Sequence, residues 1–511
     1  MNPIDKLLNN LTMYRVVLYG LTLLAVISII FGFFGVIAYG GFALLGSLVI
    51  IMMSSMVANQ LFAKLYQAPT NVESVYISGF ILFFILEPSM TVSGIIALVA
   101  GSLLTMLSKF LFARGKRHIF NPVAVAAVLL TVAWSGAVVW WIATPLLSVM
   151  TLVIGLLIVR KIRRFQLVGM FALAAILGLT VTYILPSNAN FLNFLKDLLF
   201  SWPFVFFATI MLTEPLTTPP TKTTQMTYGA IVGLLFASRF SLGPIYSTPE
   251  LALVLGNLYS YAVSSKQKLT LMIDKVERLS DTVYNFVFKT DQHLRFKAGQ
   301  YVEWTLPHIP SDNRGNRRYF TVASSPTEEE LHLGVRIDEK ASSSFKKELI
   351  ALADPNIAKR HIGTQAMVAS HLSGEFTLPD DPFKKLVFIA GGIGVTPFRS
   401  MIKQIIDTGE KRDIVVLYFA QTDTDFAYWE MFNAAAPFGV HTEYIASNPS
   451  PAWQGKTGRL DAAMLQQLVP DFHERYFMLS GPHGMVVNYK KLLKSVGVSR
   501  RQIKTDYFPG F

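Results

Sequence analysis

From Val16 to Ala63 the chain carries no charged side chain over 48 residues. A helix crosses the hydrocarbon core of a bilayer with about 20 apolar residues, so this run alone is long enough for two spans. Ile119–Val159 and Phe165–Leu195 are equally free of charge. Composition points the same way: the 511 residues are 52% hydrophobic and only 15% charged. Those proportions exclude a disordered chain and an ordinary soluble enzyme. There is no cysteine, which removes disulfides, iron–sulfur clusters and thiolate zinc sites together.

The net charge of +12 suggests a nucleic-acid partner until it is located. Residues 1–265 hold 14 Lys/Arg and 6 Asp/Glu, and residues 266–511 hold the other 31 and 27. The composition therefore breaks near Ser264–Lys268, between an apolar domain over 1–265 and a soluble half. Charges, prolines and glycines divide the apolar half into ten predicted spans: 16–34, 37–60, 74–87, 91–112, 120–134, 140–159, 165–185, 198–213, 227–239 and 250–264. No small-residue cleavage site follows the first, which therefore reads as a retained span. Lys6, Arg15, Lys64, Lys109, the Arg114–Arg117 and Arg160–Arg164 groups and Lys222 fall on one side, against Lys196 and Arg239 on the other. That bias places both termini and the soluble half in the cytoplasm of a bacterial-type cytoplasmic membrane. The partner of the basic charge is then membrane lipid, and no nucleic acid is expected.

Two segments of the apolar half resemble each other, Phe80–Pro88 ending in Glu87-Pro88 and Phe204–Pro215 ending in Glu214-Pro215. Each is followed by a second proline at a helix start, at Asn121-Pro122 and Pro249-Glu250. Five spans per unit is odd, so the units have opposite orientation, the pattern of an inverted repeat whose broken helices frame a site near the midplane. Arg117-His118-Ile-Phe-Asn121-Pro122, Phe206–Pro215, Tyr228-Gly229 and the stretch from Pro249-Glu250 to Asn257 resemble the RnfD/NqrB family over residues 70–262. That resemblance implies a flavin-carrying membrane subunit, with His118, Asn121, Thr144 and Glu214 as candidates for holding a second flavin, FMN or riboflavin. Family members attach FMN to a threonine, and Ala143-Thr144-Pro145-Leu146 is the nearest match. The long loop that carries the family motif is missing, Glu214 replaces the family's usual Asp, and Thr144 also reads as a helix start with proline in the first turn. Covalent and noncovalent flavin both stay open. A haem held by paired axial histidines is excluded, because His118 is the only histidine before residue 266.

Beyond Lys268 the texture becomes short alternating strands, a small antiparallel barrel over 266–382. After Leu378-Pro379 strands alternate with helices, a doubly wound α/β domain over 383–511. This half resembles the ferredoxin–NADP reductase family over nearly its whole length. Arg318-Tyr319-Phe320-Thr321 matches the family's flavin motif. The resemblance implies Arg318 on the FAD pyrophosphate, Tyr319 against the isoalloxazine and the Thr321 hydroxyl near its reactive nitrogen. Ser343-Ser344-Phe345 matches the segment that holds the FAD phosphates at a helix start. Gly391-Gly392-Ile-Gly394-Val-Thr396-Pro397 matches the nucleotide loop, where glycines let the backbone approach a dinucleotide facing a helix dipole. Ser480-Gly481-Pro482 stands where the family has Cys-Gly-Pro beside the nicotinamide. Asp506-Tyr507-Phe508 matches a late Glu-x-Phe, and Phe511 is a candidate for covering the flavin. Thr321, Ser480 and Asp506 are the residues expected at the reacting atoms. No Lys or Arg follows Gln421-Thr422-Asp423, which favours NADH over NADPH.

Together the halves predict a transmembrane oxidoreductase carrying electrons from cytoplasmic NADH or NADPH through FAD to a membrane flavin. A quinone or an extracytoplasmic flavoprotein would be the acceptor, with no metal involved. The alternatives are an inverted-repeat transporter for a small solute or ion, driven or gated by the reductase, and a cytoplasmic flavin reductase on a passive anchor.

Overall fold

In the computed structural model the described residues are Leu8 and 11–66, 72–114, 117–134, 136–187, 189–264, 269–290, 292–306, 316–337, 343–353 and 366–508. They divide into two compact units, Asn2–Lys266 and Gln267–Phe511.

The first unit is helical: α1 Met13–Phe33, α2 Gly41–Leu65, α3 Val72–Ile85, α4 Val92–Leu111, α5 Pro122–Ala133, α6 Pro145–Ile162, α7 Phe165–Leu179, α8 Phe191–Phe200, α9 Lys222–Ala237 and α10 Pro249–Val263. The helices begin where the sequence supplies caps. Thr12, Thr91, Asn121, Asn190, Thr221 and Thr248 each accept a backbone N–H of the first turn. Large apolar side chains such as Phe42, Val57 and Leu192 face outward from the helices, an arrangement suited to lipid and not to water.

Each of the ten expected spans contains helix, but among the described residues five helices have the length and hydropathy to cross a bilayer: Met13–Phe33, Gly41–Leu65, Val92–Leu111, Pro145–Ile162 and Phe165–Ser187. A sixth would join Phe191–Phe200 to Phe204–Met211 through a 63° bend. Ser201-Trp202-Pro203 interrupts the ladder at that bend, since proline cannot continue it. The others are shorter for the same local reason. Val72–Ile85 stops before Glu87-Pro88, and Pro122–Ala133 starts after Asn121. Phe207–Met211 and Thr180–Ile184 are π-helical, insertions of a kind that often marks functional helices.

The second unit begins with a six-stranded antiparallel sheet: β1 Leu269–Arg278, β2 Val283–Lys289, β3 Tyr301–Thr305, β4 Arg317–Thr321, β5 Leu331–Arg336 and β6 Ala366–Ser373, in spatial order β4-β3-β6-β1-β2-β5. Phe286, Phe288 and Trp304 fill its interior with Phe345 from the helix Ser344–Ala353, here α11. A parallel sheet follows, with β7 Leu386–Gly391, β8 Ile414–Ala420, β9 Val440–Ala446, β10 Lys456–Thr457, β11 Tyr476–Pro482 and β12 Ile503–Phe508 in the order β10-β9-β8-β7-β11-β12. Every residue of β7 and β8 is buried, as strands covered by helices on both faces must be. The chain reverses direction across the sheet between β7 and β11. In open α/β sheets the crevice beyond the strand ends at such a point is where ligands bind.

Candidate functional site

Beyond the carboxyl end of β7 the chain makes one turn of tight helix, Gly392–Val395, and enters α12, Thr396–Thr408, with Pro397 in its first turn. Gly392 has φ +52°, and a Cβ there would meet nothing within 4 Å, so bare backbone faces open space. Gly394 is glycine for a different reason. A Cβ there would lie 2.5 Å from Gly481 Cα and 2.6 Å from Ser480 O. The turns after β7 and β11 are therefore in backbone contact, which brings Gly391, Gly392, Gly394, Gly481 and Pro482 to one place. Thr396 Oγ1 donates back to Ile393 O at 3.2 Å and closes the turn.

The register sets Ser480 between Ala390 and Asp506. Phe508 pairs in the same ladder, with Pro482. Phe511 lies outside the described residues.

On the barrel, β4 pairs with β3 so that Tyr319 faces Glu303 and Arg318 faces Trp304. Tyr319 keeps 43% of its surface exposed while its hydroxyl donates to Glu303 Oε2 at 2.8 Å. A half-open ring fixed at its far end is a platform for a flat ligand. The Arg318 guanidinium lies 5.3 Å from the centre of the Phe345 ring, and Phe320 packs on the same ring. That places Arg318 at the start of α11, where Ser343 Oγ accepts the N–H of Lys346. Arg318 and Ser343-Ser344-Phe345, remote in sequence, thus form one cationic helix-start site suited to phosphate.

Thr321 Oγ1 and Ser480 Oγ are buried and have no hydrogen-bond partner among the described residues. Buried hydroxyls are normally paired, and a bound group that reached either of these two would complete its bonding. The residues fit a flavin dinucleotide on β4 and a nicotinamide nucleotide at the β7–β11 crevice.

In the helical unit the structure joins two of the four membrane candidates. Asn121 Nδ2 donates to Glu214 Oε2 at 2.8 Å, and Thr217 donates to the same oxygen at 3.2 Å. Asn121 N donates to Asn257 Oδ1, and Asn257 Nδ2 to the Tyr228 hydroxyl. Of the other two candidates, His118 pairs its Nδ1 with Lys109 O at 3.0 Å. Thr144 caps α6 without a side-chain bond, and its Oγ1 is buried with no partner among the described residues. The Pro249-Glu250 helix start is hydrogen-bonded as well. Glu250, in the first turn of α10, accepts from Trp140 Nε1 and Thr131 Oγ1, both at 3.3 Å.

Two participants were not singled out by the sequence. Glu303 is the lone acid of β3, which is a usable signal. Arg399 follows the nucleotide turn by two residues, yet donates to Ala323 O and Glu328 on the barrel side.

Residues 388–491 match the oxidoreductase NAD-binding domain family. Among characterised proteins, the glycine betaine monooxygenase reductase subunit of Chromohalobacter salexigens is 29% identical over 238 residues, 44% of this chain and 60% of that one. The phenol 2-monooxygenase reductase component DmpP of a Pseudomonas species is 28% identical over 214 residues, 41% of this chain and 56% of that one. The chain thus spans less than two thirds of the length of these relatives. Among solved structures, the flavohaem-like FAD/NAD-binding domain of nitric oxide dioxygenase from Vibrio cholerae aligns with a TM-score of 0.40 at 17% identity, covering 47% of this chain and 98% of that one. By the family match and these relatives, the C-terminal unit carries an oxidoreductase NAD-binding domain over 388–491 and is similar to the reductase components of oxygenases.

Proposed function

We propose that the chain is a membrane-bound NAD(P)H oxidoreductase with three domains, 1–265, 266–382 and 383–511. Reducing equivalents enter from cytoplasmic NAD(P)H at the C-terminal module. They leave through a flavin held by the helical domain, to a quinone or an extracytoplasmic flavoprotein. The observation that carries this reading is the fusion itself: an oxidoreductase module shares one chain with five helices long and apolar enough to cross a bilayer. A hydrocarbon core about 30 Å thick separates the two aqueous sides, so electrons entering on one side need a carrier within the helices or an acceptor that comes to the same side. Bound flavin supplies the conversion between hydride and single-electron chemistry.

The chain's own residues divide the remaining work. Arg318 and the start of α11 hold a pyrophosphate, and Tyr319 supports the flavin ring. Gly391, Gly392, Gly394, Thr396 and Pro397 bring backbone against the nicotinamide nucleotide. Thr321, Ser480 and Asp506 line the place where the two cofactors meet. In the helical domain the RnfD/NqrB-like breaks supply the second site. The Asn121–Glu214 bond ties the Asn121-Pro122 and Glu214-Pro215 breaks together, with Thr144 as the candidate attachment point and His118 as a further candidate. The excess of Lys/Arg on one side supports a cytoplasmic module.

The test is electron delivery across a sealed membrane. Protein reconstituted in liposomes, given NADH outside, should reduce a membrane quinone or an enclosed impermeant oxidant when the module faces out. Reduction of external dyes only, with both acceptors untouched, would refute the relay.

A further inference from the structure

Among the described residues only three other than glycine have positive φ: Trp140, Arg163 and Tyr428. Tyr428 has φ 60° and ψ 21° and caps the short helix Trp429–Ala434. A bulky side chain in this region is strained and persists only when its surroundings hold it there. Its hydroxyl donates to Asn285 Oδ1 at 3.1 Å. Asn285 lies on β2 of the barrel, buried, with its own amide fixed by Glu277 Oε2 at 2.7 Å. The Tyr428 ring lies 5.6 Å from the Arg399 guanidinium.

The bond therefore crosses from the nucleotide domain to the barrel, and it does so beside the nucleotide turn. A Cβ on Gly334 of β5 would lie 2.6 Å from the Tyr428 hydroxyl and 2.8 Å from Thr396 Cγ2. One barrel strand is thus pressed against both Tyr428 and the first residue of α12. From the next turn of α12, Arg399 donates to Ala323 O at 3.1 Å and Ser400 to Ser324 O at 2.6 Å. Ala323 and Ser324 follow Thr321 by two and three residues. The helix that begins at the nucleotide turn consequently grips the chain just past the flavin motif, with Tyr428 as the remaining brace.

We propose that Tyr428 is a positioning residue. Through Asn285 and Gly334 it fixes the spacing between the nucleotide turn Gly391–Thr396 and the flavin strand β4, and that spacing sets the rate of hydride transfer. The inference rests on the reading of the module as an NAD(P)H–flavin reductase. The strained backbone at Tyr428 is the conformation in which its hydroxyl meets Asn285. A shift of about 1 Å between reacting groups is enough to slow transfer by about 10²-fold.

The test uses the full chain with its flavin bound, as Tyr428→Phe, which deletes one oxygen and keeps the ring, and as Asn285→Ser, which removes the acceptor amide. Flavin bleaching is followed after rapid mixing with NADH over a concentration series. Amide deuterium exchange over 283–289 and 396–401 is measured without nucleotide. Tyr428→Phe should lower the limiting rate about tenfold or more while the half-saturating NADH changes less than about threefold. It should also speed exchange on both sides of the seam. Asn285→Ser should do the same, and the double variant should be no worse than the poorer single, because one bond is removed in each. Wild-type limiting rates and exchange in both variants, with only a lowered unfolding temperature, would show a purely structural contact and overturn the proposal. Failure of the wild-type flavin to bleach with NADH or NADPH would overturn the module reading itself and the proposal with it.

Discussion

Gly394→Ala probes the contact on which the candidate site is built. The added Cβ would lie 2.5 Å from Gly481 Cα and 2.6 Å from both Gly481 N and Ser480 O. All three are backbone atoms, so no side-chain rotation relieves the overlap. Carbon contacts settle at about 3.5–4.0 Å, so the turns after β7 and β11 must part by roughly 1 Å. Overpacking of this kind destabilises by about 1–3 kcal/mol. The same displacement carries Ser480 away from the turn at Gly394, and misplacement of reacting groups by about 1 Å lowers a rate by about 10²-fold. Gly392→Ala is the control within the same motif. It meets nothing within 4 Å but sits at φ +52°, so its penalty is left-handed backbone strain of about 1–2 kcal/mol. The assay is rapid-mixing reduction of the bound flavin by NADH, with thermal unfolding of the same samples. Both variants should lose comparable stability. Gly394→Ala should lose about two orders of magnitude in limiting rate, and Gly392→Ala should mainly need more NADH. Flavin reduction at the wild-type rate in Gly394→Ala would refute the backbone-contact argument.

Three further predictions concern the same module. From Asp413 to Gly455 there is no Lys or Arg, and Asp423 at the end of β8 is pinned by the N–H and hydroxyl of Ser450 at 2.8 and 2.7 Å. A 2′-phosphate would meet no cation there, so kcat/KM for NADH should exceed that for NADPH about tenfold or more, and parity would contradict this. Burial, and after it the Arg399 charge, hold His332 below the ordinary imidazole range. The native state then binds fewer protons than the unfolded chain, so the contribution is complete above about pH 6.5 and is lost as pH falls from there toward the folded value. Chemical denaturation of wild type and His332→Gln at pH 7.5 and 5.5 should show the smaller loss in the variant. Arg475 donates to Asp413 at 2.7 and 3.2 Å, to Asp471 at 2.6 Å and to Leu386 O at 3.3 Å. Arg475→Ala should lower unfolding free energy by about 2 kcal/mol, read from denaturant midpoints, and an unchanged midpoint would count against it.

Features governed by local chemistry were legible in the sequence. Charge-free runs mark α1 and α2 because nothing but lipid or a helical core accepts them. The Gly391–Pro397 turn shows itself because only glycine tolerates both φ +52° at Gly392 and backbone contact at Gly394. A strand in the neighbourhood of β4 follows from alternation, and Arg318 and Thr321 on it from the resemblance to the reductase family's flavin motif. Features governed by distant partners were not legible. Tyr428 reads as an ordinary aromatic, since its acceptor Asn285 lies 143 residues away. Arg399 reads as a surface cation, since Glu328 is named by the fold and not by the helix. In the helical unit, the expected span at 198–213 is a bent pair that begins at Phe191. Asn190 supplies a cap there, which apolar run length alone does not reveal.

The claim that reducing equivalents pass into the helical domain is tested most directly by counting flavins. Full-length protein purified in mild detergent should release two flavins per chain on acid precipitation, or one released and one retained on a peptide. Anaerobic NADH should bleach both in the intact protein. One flavin per chain, all of it released from the C-terminal module with none associated with residues 1–265, would contradict the account.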